Sequence, residues 1–129
     1  MFKLINKLKN RKGFTLIELI VVLAVLGVIM AIAVPRFTGV QEKAKVDADY
    51  ASGSLIAKTA EIYAIKGMDE DDIEDKLDED FPQGIEFQSK DLDGKTLDDV
   101  ILEIVNTEVK VKVETTEGNV EIYPGKGLD

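Results

Sequence analysis

The fold is decided by residues 12–35, which read KGFTLIELIVVLAVLGVIMAIAVP. Residues 19–34 carry no charge, and extending the run back to Phe14 adds Glu18 as its only charged residue. As a helix this run is roughly 30 Å long, which is enough to cross the hydrocarbon core of a bilayer. Helices in globular cores rarely stay apolar on every face over such a length. The stretch therefore predicts a membrane-spanning helix over residues 14–35.

The residues on either side of this stretch differ sharply in charge. Residues 1–13 contain five Lys or Arg and no acidic residue, which places this end in the cytoplasm by the positive-inside rule. The rest of the chain has 11 basic against 25 acidic residues, a net charge of −14 compared with −9 for the whole. Such a surface repels phosphate, so we expect no direct binding of nucleic acid.

A secretory signal peptide is the alternative interpretation of the N-terminal region. Ala31-Ile32-Ala33 has the small-residue pattern of a signal-peptidase site, and cleavage there would release a protein that starts at Val34. The product would be a monomeric exported or membrane-anchored binding domain. Two features oppose this interpretation: Glu18 lies inside the apolar run, and the helical pattern continues beyond Ala33.

Glu18 is the most informative single residue. An unpaired charge within a spanning helix costs about 2.5–3.5 kcal/mol on insertion scales, so an intramembrane carboxylate indicates a function and a partner. The alternative is that Glu18 stays hydrated near the interface, because only residues 14–17 separate it from the basic leader.

The octamer KGFTLIEL at residues 12–19, followed by the apolar run and Pro35, resembles the class III signal of type IV prepilins. The similarity covers roughly residues 9–66. It implies that a membrane prepilin peptidase cuts between Gly13 and Phe14 and methylates the new amino group of Phe14. In that family the glutamate that matches Glu18 pairs with this amine in a neighbouring subunit. The chain would then be a substrate and not an enzyme.

The resemblance also implies a location and partners. The precursor would be held in the cytoplasmic membrane as a single-pass protein with its N-terminus in the cytoplasm. A pilus assembly platform would then build it into a homo-oligomeric helical filament on the cell surface, serving adhesion, motility or DNA uptake. A type II secretion-type pseudopilin or a competence pilin is the alternative within this class.

Gly27 and Pro35 interrupt an otherwise uniform helical pattern. Proline removes the hydrogen bond to the carbonyl of Ala31 and kinks a helix, and glycine lowers helix propensity. In assembled type IV pili the segment between such residues is often unwound, so both are candidate helix breaks or kinks. The alternative is that they are ordinary residues of a membrane helix, where glycine and proline are common.

After Pro35 the pattern changes to that of an amphipathic helix over residues 36–67, ending near Gly67. The apolar positions fall within about 60° of Phe37 at about 100° per residue, and we expect this stripe to pack on the rest of the chain. Its members are Phe37, Val40, Ala44, Ala48, Ala51, Leu55 and Ile62.

Residues 68–129 begin with an acidic segment. Residues 69–80 contain nine acids and one lysine, which predicts a solvated loop or a short helix with Ile73 and Leu77 facing inward. A weak irregular calcium site in residues 69–80 or 91–95 is an alternative, but neither run has EF-hand spacing. We therefore assign no metal.

The remaining residues show strand patterns. Residues 84–88 alternate, residues 97–105 are mixed, and residues 108–114 alternate with three valines on one face. A turn at residues 116–119 leads to a return strand at residues 120–123, and we expect the tail after residue 125 to be mobile. The prediction is an α+β fold in which the long N-terminal helix packs on a small antiparallel sheet.

The composition argues against an enzyme. The chain has no histidine and no cysteine, which removes the common nucleophile–base pairs and the usual metal ligands. No glycine-rich phosphate loop is visible. We therefore predict no catalytic residue and no cofactor.

Overall fold

The computed structural model describes residues 13–125, 127 and 128, so the predicted leader lies outside the described residues except for Gly13. The chain forms two compact units, one ending at Thr38 and one spanning Gly39–Asp129. The elements are helices α1 (Leu16–Ile65) and α2 (Glu70–Asp80), 3-10 turns at Lys90–Leu92 and Leu97–Asp99, and strands β1 (Val100–Val105), β2 (Glu108–Thr115) and β3 (Gly118–Tyr123).

Helix α1 is continuous through Gly27 and Pro35. The carbonyl of Pro35 accepts a hydrogen bond from Thr38 Oγ1 at 3.0 Å. A proline within a helix leaves one backbone carbonyl without its usual donor, while the other backbone hydrogen bonds of the helix remain. The helix of the single chain thus runs through both residues, and a break or kink at Gly27 and Pro35 in an assembled filament stays a prediction.

The end of α1 is set by Gly67, as the sequence predicts. Gly67 has φ of +84°, which glycine adopts without strain. Its N–H donates to Ala64 O at 3.0 Å, and Met68 N–H donates to Tyr63 O at 3.2 Å. These two bonds form a Schellman motif, which satisfies carbonyls that the last helical turn would otherwise leave unpaired.

The sheet is antiparallel with strand order β1-β2-β3. Val109, Val111 and Val113 of β2 are buried, which confirms the predicted valine face. A two-residue loop joins β1 to β2, with Asn106 at φ 51° and Thr107 at φ 71°. Two successive positive φ values are the backbone of a type I′ turn, whose twist matches that of paired strands.

The predicted strand at residues 84–88 is wrong. These residues make one isolated bridge, between Glu86 and Thr96, supported by hydrogen bonds from Phe87 N to Lys95 O and from Leu97 N to Ile85 O. Pairing stops there because the chain curls into the 3-10 turn at Lys90–Leu92 immediately afterwards. The alternation reflected the burial of Phe87 and not a strand.

The predicted face of α1 is also wrong, although the helix does pack on the sheet. All seven residues of the apolar stripe are exposed, and the buried face lies on the opposite side of the helix. That face consists of Asp49, Gly53, Ile56, Ala57 and Ala60. Small residues let the sheet approach closely, since a Cβ added at Gly53 would lie 2.8 Å from Ile122 Cδ1.

Asp49 shows how a charged residue comes to lie on this buried face. It is 1 % exposed, and its two carboxylate oxygens accept hydrogen bonds from the N–H groups of Gln88 and Ser89, each at 2.8 Å. About two helical turns earlier, Glu42 accepts from Lys90 N–H at 2.6 Å. Burial of a carboxylate is tolerated when both oxygens are hydrogen-bonded, and here it ties the helix to the loop at residues 88–90.

The acidic segment forms helix α2, which confirms the helical one of the two predicted alternatives. Asp69 caps it by accepting from Asp72 N–H at 3.0 Å, and Ile73 and Leu77 face the core. Acidic residues in the first turn are favourable against the helix dipole. Among the described residues, no group of three or more His, Cys, Asp or Glu is arranged to hold a metal ion.

The carboxyl-terminal segment is held at Gly127 and Leu128, contrary to the mobile tail that we expected; Lys126 and Asp129 lie outside the described residues. Leu128 is 8 % exposed and belongs to the core. The hydroxyl of Tyr50 donates to Leu128 O at 3.0 Å and accepts from Leu128 N–H at 2.8 Å. Gly127 N–H donates to Glu121 O at 2.9 Å. The segment thus lies along the edge of β3.

Candidate functional site

Gly13 and Phe14, the residues at the predicted cleavage position, lie ahead of α1. The helix begins at Leu16, so the peptide bond between Gly13 and Phe14 precedes its first turn. Phe14 is 94 % exposed, and within the described residues no heavy atom other than those of the chain neighbours comes within 4 Å of a Cβ built on Gly13. Cleavage of a bond in this position requires no unwinding of the helix.

Thr15 and Glu18 form a reciprocal cap at the start of α1. Thr15 N–H donates to Glu18 Oε2 at 2.8 Å, and Glu18 N–H donates to Thr15 Oγ1 at 3.3 Å. This is a capping box, in which side chains satisfy two N–H groups that have no partner within the helix. The sequence interpretation omitted Thr15, although a Thr-x-x-Glu spacing before an apolar run is a signal for this motif.

The cap gives Glu18 a partner within its own chain. Its carboxylate also lies in the first turn of α1, where the helix dipole favours negative charge. A carboxylate can accept about four hydrogen bonds, so one backbone N–H leaves capacity for a further donor such as an amine. Phe14 and Glu18 line the same shallow depression, together with Leu19 and Val22.

The segment after Glu18 presents apolar side chains on every side. Residues 16–34 are all exposed in the single chain, and the exposed fraction of their large apolar residues runs from 44 % for Leu26 to 77 % for Leu16. The helix is long and apolar enough to cross a membrane, with a mean hydropathy of 3.0 over its most apolar window and none of that window buried. Gly27 lies nine residues beyond Glu18, about 13 Å along the helix axis, so neither Gly27 nor Pro35 joins the Phe14–Glu18 cluster.

Titratable groups with shifted pKa values lie outside this region and reflect local contacts. Burial, followed by the repulsion of Asp71 and other acids of α2, raises the pKa of Glu74. The N–H of Thr96, followed by the ammonium of Lys95, lowers the pKa of Asp99. These shifts reflect charge crowding on α2 and capping of the 3-10 turn at Leu97–Asp99.

Comparison with known proteins agrees with the geometry of the N-terminal region. The family described as the prokaryotic N-terminal methylation motif matches residues 8–34. A fimbrial protein of Pseudomonas aeruginosa is 34 % identical over 62 residues, which are 48 % of this chain and 40 % of that protein. A prepilin peptidase-dependent protein A of Clostridium perfringens is 40 % identical over 55 residues, 42 % of this chain and 39 % of the relative.

A third relative matches over a shorter stretch. The type IV narrow pilus major component PilA5 of Thermus thermophilus is 54 % identical over 33 residues, 26 % of this chain and 28 % of that protein. The chain thus spans about two fifths of the length of the first curated relatives. No solved structure matches it significantly. These matches confirm the resemblance to type IV pilins that residues 12–19 indicate.

Proposed function

From the N-terminal methylation motif that this chain carries, we propose that it is the structural subunit of a type IV pilus. The observation that supports this best is the motif match at residues 8–34, of which residues 16–34 form a helix that no other described part of the chain buries. Such a surface needs either lipid or other protein around it. A membrane-stored subunit that later enters a filament core meets both surroundings in turn.

Processing comes first in this proposal. A prepilin peptidase cuts between Gly13 and Phe14, removes the basic leader and methylates the new amine of Phe14. The position of this bond ahead of the first helical turn supports the assignment, because cleavage there leaves α1 and its cap intact. The precursor spans the cytoplasmic membrane once, with the basic residues of its leader on the cytoplasmic side.

Assembly then adds a second partner to Glu18. In the single chain, Thr15 N–H occupies one carboxylate oxygen. In the filament, the amine of Phe14 from a neighbouring copy adds a charged donor, which neutralises both groups in an apolar environment. Because lipid is as apolar as the filament core, this pair and close helix packing supply the preference for the filament. The assembly platform supplies the energy that extracts the helix from lipid.

The mature N-terminus tests processing. Surface filaments are sheared from cells, and the mass of the N-terminal peptide of the repeating subunit is measured. We expect a chain that begins at N-methylated Phe14. A soluble secreted chain that begins at Val34 would instead show the exported binding domain, and it would defeat the pilus proposal.

Glu18→Ala tests the pairing. We expect the variant to enter the membrane and to be cleaved, but sheared filaments should fall at least about 100-fold. Removing one partner of a buried charge pair costs about 3–5 kcal/mol, and each 1.4 kcal/mol is tenfold. Glu117→Ala, at an exposed carboxylate of the β2–β3 turn, is the control and should assemble normally. Normal filaments from Glu18→Ala would refute the pairing.

A further inference from the structure

Both outer edges of the sheet are partly covered by other segments of the chain. At the edge of β1, Ile104 N–H donates to Glu70 Oε1 of α2 at 3.2 Å. At the edge of β3, Gly127 N–H of the carboxyl-terminal segment donates to Glu121 O at 2.9 Å. Sheets cover their edges in this way because unpaired strand backbone attracts further strands. A stretch of strand without such cover therefore stands out.

The start of β2 is such a stretch. β3 pairs with β2 from Val111 to Thr115 and ends at Tyr123. Pro124 follows, and proline has no N–H with which to continue the pairing. Among the described residues, no strand lies beside residues 108–110 of β2 on the β3 side. We call this position the β2 notch.

Val109 turns its backbone groups toward the β2 notch. Its partner in the register of β1 and β2 is Ile104, whose N–H points away from β2 toward Glu70. Residues directly opposite each other in antiparallel strands either exchange both hydrogen bonds or exchange none. Ile104 and Val109 therefore exchange none, and the N–H and C=O of Val109 face the side on which β3 has ended.

The side chains around the β2 notch leave room for another segment. A depression of about 300 Å³ lies there, with Val105, Tyr123 and Pro124 among its apolar walls. Val105 is 65 % exposed. A chain that extended along β2 at this position would thus find a backbone donor and acceptor together with apolar surface, which are the two elements of strand addition.

The charges around the depression indicate the kind of segment that fits. Three carboxylates and one ammonium line it, from Glu61, Glu103, Glu108 and Lys110. Lys58 pairs with Glu61 and Lys112 pairs with Glu103, while Glu108 belongs to none of the ion pairs among the described residues. A carboxylate accepts about four hydrogen bonds, so all three keep capacity for a further cationic donor.

We propose that the β2 notch binds an extended segment of another protein in which a lysine or arginine lies between apolar residues. Its backbone pairs with Val109, as β3 pairs with the rest of β2, and its basic side chain meets the carboxylates. The chain beyond the leader has a net charge of −14, so it attracts a basic partner and repels a second copy of itself. This binding site does not depend on the proposed function.

Peptide binding to the full chain in detergent micelles tests the proposal by NMR of the backbone amides. The probe is acetyl-Thr-Val-Lys-Val-Thr-amide, compared with the same peptide carrying Glu in place of Lys and with one N-methylated at both valines. We expect the lysine peptide to shift the Val109 amide saturably and to slow its hydrogen exchange at least about fivefold. The glutamate peptide should bind at least about tenfold more weakly, and the N-methylated peptide should leave Val109 unchanged.

A pair of charge reversals tests the carboxylates. Glu108→Lys should weaken binding of the lysine peptide at least about fivefold, because it places an ammonium beside the basic side chain. Glu117→Lys makes the same change at an exposed residue of the β2–β3 turn, outside the depression, and should bind like the parent.

The outcomes separate this proposal from the pilus subunit. No saturable shift at Val109, or equal binding of the N-methylated peptide, would overturn the strand pairing and the proposal with it. Equal binding of the lysine and glutamate peptides, or an equal loss from Glu117→Lys, would overturn the basic partner. The same shift on concentrating the chain alone would identify a second copy as the occupant, which also overturns it. None of these results bears on processing at Phe14 or on filament assembly.

Discussion

Thr15 and Glu18 show how one pair of side chains can serve the single chain and remain usable in an assembly. Each satisfies a backbone N–H of the first turn, and Glu18 keeps acceptor capacity for a further donor. The cost of a carboxylate beside the apolar run is thereby reduced before any neighbouring copy is present. The sequence indicated that Glu18 needs a partner, but it gave only the amine of another copy or water as candidates.

Replacing Thr15 tests the cap. Thr15→Val keeps the shape of the side chain and removes the acceptor for Glu18 N–H, so the first turn should lose about 1 kcal/mol. We expect roughly fivefold faster amide hydrogen exchange at residues 16–18 of the full chain in detergent micelles, by the same free energy. Thr15→Ser keeps the hydroxyl and should exchange like the parent. Equal exchange in all three chains would show that the cap does not hold in solution.

Tyr50 is a second single residue with a local role, since it holds the segment at the other end of the chain. Its hydroxyl makes two hydrogen bonds with the backbone of Leu128, in a chain with no cysteine to hold the terminal segment by a disulfide. Tyr50→Phe should lower the free energy of unfolding by about 1–3 kcal/mol, because it leaves two partly buried backbone groups unpaired. Thermal denaturation followed by circular dichroism measures this.

Tyr63→Phe is the matched control for that measurement. The Tyr63 hydroxyl donates to Asp80 at an exposed position, so its loss should cost clearly less. If Tyr63→Phe lowered the free energy of unfolding as much as Tyr50→Phe or more, the Tyr50 contact would not be the stronger of the two.

Helix α2 carries several acidic residues close together, and their repulsion affects the pKa of Glu74. Burial raises the pKa of Glu74, and repulsion by Asp71 three residues away and by Glu70 and Asp78 four residues away raises it further. Since the folded pKa is above the unfolded one, the protonated form favours folding. This contribution is present below the ordinary pKa of 4.5 and is lost as pH rises through the folded value.

Glu74→Gln should therefore stabilise the protein at neutral pH. Two like-charge neighbours at i±4 give an expected gain of about 0.5–1 kcal/mol in low salt, which shrinks in high salt and below pH 4.5. Urea denaturation at several pH values measures it. Glu79→Gln, which removes a partner of Lys76, is the control and should give no gain. A gain that is independent of pH would exclude charge as its cause.

At the scale of the whole molecule, the two units differ in whether their apolar residues are buried within the chain. In the unit ending at Thr38, residues 16–34 are exposed and carry no charge except Glu18, and none of the core residues lies there. Every residue of the core cluster lies in Gly39–Asp129. A fragment of residues 39–129 should therefore remain in solution and unfold cooperatively on heating, as followed by circular dichroism. The full chain should require detergent or membrane. A fragment without a cooperative transition would show that residues 14–38 are needed for the fold of the head.

Several features were predictable because they depend on local pattern. Residues 19–34 are apolar at every position, and no soluble packing of one helix could cover them all. Gly67 ends α1 because a left-handed residue is needed there, and the three valines of β2 share a face because strands alternate. The resemblance of the octamer at residues 12–19 to a prepilin signal is likewise visible from the types and spacing of its residues.

The buried face of α1 was decided only by the tertiary structure. Periodicity shows which residues are apolar, but a helix can have an apolar stripe on one side and a small-residue face on the other. The sheet packs against the face that contains Gly53 and Ala57, where small residues let the backbones come close. The carboxylate of Asp49 on that face accepts hydrogen bonds from two backbone N–H groups, 39 and 40 residues away in the sequence. Contacts that distant in sequence leave no periodic signal. The sequence by itself therefore determined that the helix exists and what its N-terminal half requires, and the tertiary structure decided which side of it faces the sheet.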